Sequence, residues 1–347
     1  MMKVAIAGAS GFAGAELIKI CTRHPLFELV AVFAESSAGL TVKESHAGLA
    51  DVDLEMTSTE KLLGVVDDLA VEVVFLALPH GASQDYVPQL IERELIVVDL
   101  GADYRLKDPK DYRIWYGVDH RQPELLEMAV YGLVEFNRDQ LKGSRFIAAP
   151  GCYVTAASLA IKPLIDEALV QSEPVIVDAA SGVSGAGRTN KAQNMFMSVA
   201  ENFSAYGLKT HRHTIEIEQN TNAKVLFTPH LAPMTRGILA TCYLRPTDRI
   251  EALDPKDADE LLSSCYQRTF FDDPFVDVED GAPTTRSTYG TNRAKVFATF
   301  DQRTNWVMAF GALDNLVKGA AGQAVQALNV ALGVDESLGL SEIGVWP

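Results

Sequence analysis

Basic residues are in short supply in this chain. Its 347 residues include 30 lysines and arginines against 46 aspartates and glutamates, which gives a formal net charge of -16 at pH 7. Nucleic-acid binding by bulk electrostatics needs a basic surface, so this balance argues against a nucleic-acid partner. An anionic small molecule remains possible, but its site must gather arginines locally.

Cysteine is scarce, and long apolar runs are missing. The four cysteines, Cys21, Cys152, Cys242 and Cys265, form no CxxC pair and no zinc-site spacing. No window approaches the roughly 18 apolar residues of a membrane span. The N-terminal segment MMKVAIAGAS has no apolar stretch of the signal-peptide kind. We therefore expect a cytoplasmic protein with reduced thiols and no membrane partner.

The composition that is present is globular, with 48% hydrophobic and 22% charged residues, and the length predicts two domains. In residues 1–150, short apolar runs alternate with helical stretches. This rhythm predicts an α/β domain with a doubly wound, Rossmann-type parallel sheet. The predicted strands are 4–7, 29–34, 71–78 and 95–100, and the clearest helices are 12–21 and 83–93.

After Pro150 the strand-like segments have fewer helices between them. They predict a mixed or antiparallel sheet, and so an α+β catalytic or substrate domain over residues 151–313. The predicted strands are 174–180, 225–228, 237–244, 296–300 and 306–310, and 254–266 is predicted helical. Residues 314–335 predict a further helix, whose small residues would let it return and pack on the first domain.

The first strand leads directly into GASGFAG, in which Gly8, Gly11 and Gly14 form a GxxGxxG pattern. Glycines allow a tight turn and close approach to a pyrophosphate, and the helix that begins at Phe12 would offer N–H groups to it. We predict a dinucleotide site here. The alternative is a turn required only for close helix–strand packing.

The end of the second strand bears on which dinucleotide binds. Glu35 suits the ribose hydroxyls of NAD, whereas Ser36, Ser37 and the nearby Lys43 suit the 2′-phosphate of NADP. The residues alone therefore leave the two cofactors open.

The segment APGCYVT, residues 149–155, places Cys152 where an apolar strand ends and a helix begins. The positive end of a helix dipole favours the thiolate, which is the reactive form. We predict that Cys152 is a nucleophile, and that Pro163 ends or kinks the helix. The alternative is an inert core thiol, which is our interpretation of Cys21, Cys242 and Cys265.

Two of the seven histidines stand together in THRHTIE, residues 210–216. A neutral imidazole of His211 or His213 can carry protons, and Glu216 can orient an imidazole or the substrate. The i, i+2 spacing differs from the i, i+4 spacing of a zinc helix, so we expect no metal. A hydrogen-bonded surface pair is the structural alternative.

Three arginines in loops are candidates to hold an anion, because a guanidinium suits phosphate and carboxylate. Arg105 follows the predicted strand that ends near residue 100, on the sheet edge where ligands bind. Arg188 ends the loop SGVSGAGR, and Arg236 follows PHLAPMT.

Together these segments resemble the N-acetyl-γ-glutamyl-phosphate reductase family of arginine biosynthesis. GASGFAGAEL, PGCYVTAA, SGVSGAGR, THRHTIEI, FTPHLAPMTRGI and DNLVKGAAGQAVQ match in order over nearly the whole chain. The resemblance implies a fold like that of aspartate-semialdehyde dehydrogenase, NADP as cofactor, and a homodimer or homotetramer. It also implies an acyl phosphate substrate that reacts through a thioester on Cys152, with His211 as acid/base.

The resemblance also implies ligand-binding residues. For the cofactor they are Gly8, Ser10, Gly11, Phe12, Ala13, Gly14, Ser36, Ser37, Pro79, Ser181, Gly182 and Asn315. For the substrate they are Arg105, Tyr153, Arg188, His213 and Glu216. The chain departs from the family pattern at Val154 and Ile215, where prolines are common, and at Glu35, where a polar or basic residue is common.

Other classes fit less well. Short-chain dehydrogenases share the glycine loop but need a YxxxK pair, which the chain lacks. An aspartate-semialdehyde dehydrogenase is chemically close, but the HRHTIEI and PGCYVT segments favour the glutamyl enzyme. A non-catalytic dinucleotide sensor would need no reactive thiol, so the alkylation rate of Cys152 separates it from an enzyme.

Overall fold

A computed structural model describes residues 1–188, 192 and 195–345. The chain forms two compact units. The first contains residues 1–150 and 320–340, and the second contains residues 151–319 and those from 341 onward. No helix among the described residues is both long and apolar enough to cross a bilayer.

The first unit alternates strands and helices. Its strands are β1 Met2–Ala7, β2 Phe27–Phe33, β3 Met56–Thr57, β4 Val73–Leu76, β5 Ile96–Asp99, β6 Val130–Tyr131 and β7 Phe146–Ala148. Its helices before residue 150 are α1 Phe12–Cys21, α2 Val42–Ser45, α3 Leu62–Asp68, α4 Val87–Glu92, α5 Pro109–Tyr116 and α6 Val134–Leu141.

The seven strands pair in the order β3-β2-β1-β4-β5-β7-β6, and every pairing is parallel. The predicted parallel sheet is therefore confirmed. Valines and isoleucines fill β1, β4 and β5 because a parallel sheet is covered on both faces. All carboxyl ends of these strands meet at one edge, which collects the loops that follow β1, β2, β4 and β5.

The second unit has its own elements. Its strands are β8 Val175–Gly182, β9 Ser204–Ala205, β10 Val225–Ala232, β11 Ile238–Leu244, β12 Val276–Val278, β13 Ala294–Asp301 and β14 Trp306–Leu313. Its helices are α7 Cys152–Asp166, α8 Phe196–Val199, α9 His213–Thr221, α10 Asp248–Glu251 and α11 Pro255–Thr269.

These strands form a mixed sheet in the order β12-β13-β14-β11-β8-β10-β9, as the sequence predicts. Burial alternates along β11 and β13, since one face of the sheet is covered. Helix α7 lies close against that face, where a methyl group on Gly311 would lie 2.1 Å from the Ala156 carbonyl oxygen. The other face is only partly covered, and Phe297 and Phe310 stack on it with ring centroids 6.0 Å apart.

The chain returns to the first unit through α12, Gly322–Ala331, after a π-helical turn over Val317–Ala321. All ten residues of α12 are buried, and the helix packs into the apolar core formed by β1, β4 and α1. Asn329 of this helix joins it to the loop after α1, where the His24 Nε2 lies 3.1 Å from its Oδ1.

Three local predictions were wrong. Pro163 does not end α7, which continues to Asp166, because a proline in the last turns removes only one helix hydrogen bond. The helix predicted to start at residue 314 starts later, because the Asp314 side chain accepts the N–H groups of Leu316 and Val317 in a turn. The predicted loop 181–188 is regular at its start, since Ser181 and Gly182 belong to β8.

Candidate active site

Cys152 is the first residue of α7, in the second unit. Gly151 occupies the N-cap position and has no side chain to cap the helix. The helix's own hydrogen bonding begins with the Thr155 N–H, which donates to the Gly151 carbonyl over 2.9 Å. The Cys152 thiol thus lies at the positive end of the α7 dipole, as the sequence predicts.

Cys152 also differs from the other three cysteines in burial. It is half-buried, whereas Cys21, Cys242 and Cys265 are buried. Burial raises the pKa of the Cys265 thiol to about 11 and raises the pKa of Cys21 and Cys242 as well. The three buried thiols are therefore protonated near pH 7 and serve as core residues.

Glu216 fixes the turn that precedes Cys152. Its side chain is completely buried in the first turn of α9, and Oε1 accepts the Gly151 N–H over 2.9 Å. This bond uses the Gly151 N–H, so the backbone donors left for a substrate oxyanion are those of Cys152 and the residues after it. The predicted role of Glu216 in orienting an imidazole or the substrate stays a prediction, since the bond to Gly151 occupies only Oε1.

The two histidines lie on the same side of α7. A methyl group on Gly151 would lie 2.5 Å from the His213 Nε2, so His213 packs directly against the residue before Cys152. The His211 ring meets the His213 ring edge-on, with centroids 4.8 Å apart. The His213 N–H donates to the His211 Nδ1 over 3.2 Å, so a neutral His211 holds its own proton on Nε2.

His211 is enclosed by aromatic rings. Its ring packs edge-on against Tyr153 at 5.8 Å, Tyr206 at 5.4 Å and Phe227 at 5.2 Å between centroids. Burial, and secondarily the charge of Arg212, lower the pKa of His211 to about 4. The ring is consequently neutral near pH 7 and presents an N–H donor without a positive charge.

Tyr206 is a site residue that the sequence analysis missed. Its hydroxyl donates to the Tyr153 hydroxyl over 3.3 Å, and the Tyr153 hydroxyl donates to the His230 carbonyl over 3.0 Å. Burial raises the pKa of Tyr206 to about 12, so both phenols stay neutral. Tyr206 stands five residues before His211, but no motif in the sequence singled it out.

The predicted cofactor residues of the second unit are held by hydrogen bonds within that unit. The Asn315 side chain accepts the Gly237 N–H over 2.8 Å and donates to the Ser184 hydroxyl over 3.0 Å. Ser181 donates to the Gly182 carbonyl over 3.0 Å. The chain also passes close to Cys152 at Gly319, where a methyl group would lie 2.8 Å from the Cys152 Cβ.

The two arginines of the second unit have different environments. Arg188 is exposed at the end of its loop. Arg236 lies beside the buried Asp314, with 3.6 Å between Nη1 and Oδ2, and its backbone crowds Gly182.

In the first unit, the glycine loop joins β1 to α1. Gly8 has φ +85°, and a methyl group there would lie 2.1 Å from the Ala77 carbonyl oxygen. At Gly14 the same group would lie 2.2 Å from the Gly8 oxygen, whereas Gly11 is less crowded. Only glycine fits at Gly8 and Gly14, so the loop closes onto the sheet and leaves a backbone cradle at the start of α1, suited to a pyrophosphate.

The other predicted cofactor residues of this unit follow neighbouring strands. Ser10, Phe12 and Ala13 belong to the glycine loop and the first turn of α1. Glu35 and Ser36 are exposed and Ser37 half-buried in the turn after β2, and Pro79 is exposed after β4. Because β1, β2 and β4 are parallel neighbours, these residues share the carboxyl edge of the sheet.

Arg105 lies in the loop after β5, on the same edge. It is 7% exposed, and its Nη2 donates to the Leu100 carbonyl over 2.8 Å, which closes the loop on itself. Among the described residues, no three or more His, Cys, Asp or Glu side chains are grouped so as to hold a metal ion.

Two family descriptions match the chain. Residues 3–144 match the semialdehyde dehydrogenase NAD binding domain, and residues 152–315 match the semialdehyde dehydrogenase dimerisation domain. Solved structures agree on the fold. Aspartate semialdehyde dehydrogenase II from Vibrio cholerae, in a complex with ASA, has a TM-score of 0.71 and 16% identity, over 96% of this chain and 98% of that chain. The Candida albicans aspartate semialdehyde dehydrogenase with NADP has a TM-score of 0.64 and 18% identity, over 95% and 98%.

Curated relatives match end to end. The N-acetyl-gamma-glutamyl-phosphate reductase of Heliobacterium modesticaldum is 41% identical, over 100% of both chains. The protein of the same name from Citrifermentans bemidjiense is 43% identical, again over 100% of both chains.

Proposed function

The chain belongs to the N-acetyl-γ-glutamyl-phosphate reductase family, and we propose that it does the family's chemistry through a thioester on Cys152. The reaction is the reduction of N-acetyl-L-glutamyl 5-phosphate by NADPH to N-acetyl-L-glutamate 5-semialdehyde and phosphate, a step of arginine biosynthesis. The observation that carries the proposal is the half-buried thiol at the start of α7, beside a pair of histidines.

The cofactor residues fit a dinucleotide. The cradle that Gly8 and Gly14 keep open would hold the pyrophosphate, with the N–H groups at the start of α1 directed to it. Ser36 and Ser37 would hold the 2′-phosphate, and Pro79, Ser181, Gly182 and Asn315 the nicotinamide end. When bound, NADPH supplies the hydride.

The first step transfers the acyl group. The Cys152 thiolate attacks the acyl phosphate carbon, a C–S bond forms, and the C–O bond to phosphate breaks. The N–H groups of Cys152 and the residues after it stabilise the oxyanion, since the Gly151 N–H is already bonded to Glu216. Phosphate leaves toward Arg105 or Arg188 and takes up the proton that the thiol released.

The second step reduces the thioester. The thioester carbon accepts hydride, and negative charge develops on its oxygen. The neutral His211 donates a hydrogen bond from its Nε2–H to that oxygen, because its Nδ1 already accepts the His213 N–H, and the proton stays on His211. The oxygen then re-forms the carbonyl, the C–S bond breaks, and the aldehyde leaves while the thiolate is restored. His213 and Tyr153 hold the substrate beside the nucleophile.

An assay in the reverse direction tests the proposal. Purified protein, NADP⁺ and phosphate are incubated with N-acetyl-glutamate semialdehyde or with aspartate semialdehyde, and NADPH is followed by absorbance. We expect turnover with the N-acetylated substrate. Turnover only with aspartate semialdehyde would contradict the choice of substrate.

We also propose that the protein is a homo-oligomer, a homodimer or homotetramer. The partly covered face of the second sheet supports this, since it presents Met308, Phe310, Phe297 and Tyr243 at intermediate exposure. A cytoplasmic location is part of the proposal, because the mechanism needs a reduced Cys152.

A further inference from the structure

Asp99 is a buried carboxyl group to which the proposed mechanism gives no role. It ends β5 and is completely buried. Its Oδ1 accepts the Ser83 hydroxyl over 2.7 Å and the Gly101 N–H over 3.0 Å. Its Oδ2 has no hydrogen-bond partner among the described residues. An ionised carboxylate is poorly stabilised in such a place, because one of its oxygens is buried and has no donor among the described residues.

A second carboxyl group lies beside it. Asp103 accepts the Gly81 N–H over 2.7 Å on one oxygen and the Ser83 N–H over 3.1 Å on the other. Ser83 therefore bridges the two carboxyl groups. Two carboxyl groups so close resist ionising together, and the proton stays on the group that has an oxygen without a donor, whereas both oxygens of Asp103 have one. By this comparison the proton belongs to Asp99.

Asp99 is the last residue of β5, and Arg105 lies in the loop that follows it. Asp99 fixes the start of the loop through Gly101, where a methyl group would lie 2.9 Å from Oδ1. Arg105 closes the loop on the Leu100 carbonyl, and its charge is close enough to act on Asp99. An ionised Asp99 would therefore offset the positive charge of Arg105. A protonated Asp99 keeps its bonds to Ser83 and Gly101 and leaves the charge of Arg105 unchanged.

We propose that Asp99 is a positioning residue that acts as a neutral carboxylic acid, anchoring the 99–105 loop while leaving the charge of Arg105 for the phosphate of the substrate. The inference rests on the proposed function, because phosphate binding by Arg105 is part of it. Asp99 touches neither substrate nor cofactor in this role. It acts through Arg105.

The ionisation of the surrounding groups agrees with this role. Burial, helped by the charge of Asp103, raises the pKa of Asp99 to about 7, against the opposing effects of Ser83, Gly101 and Arg105. Burial also raises the pKa of Asp103, Tyr104 and Tyr112, and lowers that of His120. Asp99 is thus neutral below about pH 7 and negative above it, so anion affinity falls as the pH rises through this value.

Sulfate is a suitable probe, because it stays a dianion over the whole range while phosphate titrates. Its inhibition constant against phosphate is measured in the reverse reaction between about pH 6 and about pH 8.5. For the wild type we expect the constant to rise about tenfold with pH, as one nearby charge appears. Asp99→Asn keeps an oxygen acceptor and cannot ionise. Its sulfate inhibition constant should therefore stay, at every pH, at the value that the wild type shows at low pH.

The matched control is Asp85→Asn, which removes an exposed carboxylate from the neighbouring turn and should leave the wild-type pH dependence unchanged. Ser83→Ala removes a hydrogen bond that favours the ionised form of Asp99. It should therefore move the midpoint of the pH dependence of the sulfate inhibition constant to higher pH. It also serves as the second variant should Asp99→Asn fail to fold.

The outcomes separate this inference from the proposed function. Wild-type protein that turns over N-acetyl-glutamate semialdehyde but shows a pH-independent sulfate constant overturns the inference alone. The inference alone is also overturned if the sulfate inhibition constant of Asp99→Asn keeps the pH dependence of the wild type. If Arg105→Gln leaves sulfate inhibition unchanged, the assignment of Arg105 as the residue that binds the phosphate group is overturned. Absence of turnover with that semialdehyde overturns the proposed function.

Discussion

Among single residues, Cys152 carries the clearest prediction, because it alone of the four cysteines is not buried. Cys152→Ser should lower kcat by about three orders of magnitude or more, since a hydroxyl at this position is a far weaker nucleophile. Binding of NADPH, measured by fluorescence titration, should be unchanged. Near-wild-type turnover in the variant would exclude a thioester on this residue.

His211 gives a prediction about ionisation. With its pKa near 4, the ring should remain neutral down to about pH 5, and NMR titration of its Cε1–H should show no transition around the ordinary value of about 6.5. His211→Asn identifies the signal. The stability contributed by the neutral ring is present above pH 6.5 and is lost as the pH falls through about 4. An NMR titration midpoint near pH 6.5 would contradict the conclusion that burial keeps the His211 ring uncharged.

At the scale of elements, the contact between α9 and the start of α7 is testable through Glu216. Glu216→Gln retains an oxygen for the Gly151 N–H and should keep most activity. Glu216→Ala leaves that N–H buried without its acceptor, and should lower both kcat and the iodoacetamide reaction rate of Cys152, each by about tenfold. Equal losses in both variants would show that the charge of Glu216 matters, instead of the bond to Gly151.

The turn between β1 and α1 provides a second test at this scale. Gly14→Ala places a methyl group 2.2 Å from the Gly8 oxygen and must displace the loop. We expect Kd for NADPH to rise by about tenfold or more. Gly64→Ala, in α3, is the control, because no atom of the described residues lies within 4 Å of the added methyl group. If the two variants bind NADPH with equal affinity, the glycine loop is not part of the cofactor site.

The helix starts and the residues of the candidate site show which features could be predicted from the sequence. The starts of α1 and α7 were predictable, because glycine spacing and the Pro-Gly-Cys order act locally. Tyr206 was not, since its contact with Tyr153 joins residues 53 positions apart. The start of the segment after β14 was misplaced for a similar reason. Asp314 is held there by the Gly290 N–H, a bond of 2.7 Å to a residue far along the chain.

For the molecule as a whole, the prediction concerns assembly. Light scattering coupled to size exclusion should give the mass of a dimer or tetramer. Phe310→Glu, on the partly covered face of the second sheet, should lower that mass, because a charge cannot be buried there unpaired. Phe271→Glu is the control, since Phe271 is 85% exposed after α11. A monomeric wild type would exclude the oligomer.

The return of the chain through α12 has a consequence for biosynthesis. The ribosome makes residues 1–150 first, yet the helix that completes their apolar core emerges only after residues 151–319 of the second unit. The nucleotide-binding unit therefore cannot finish folding during the early part of translation, whereas residues 151–319 are available together. A nascent chain arrested near residue 319 should expose the groove for α12 and be the species most in need of a chaperone.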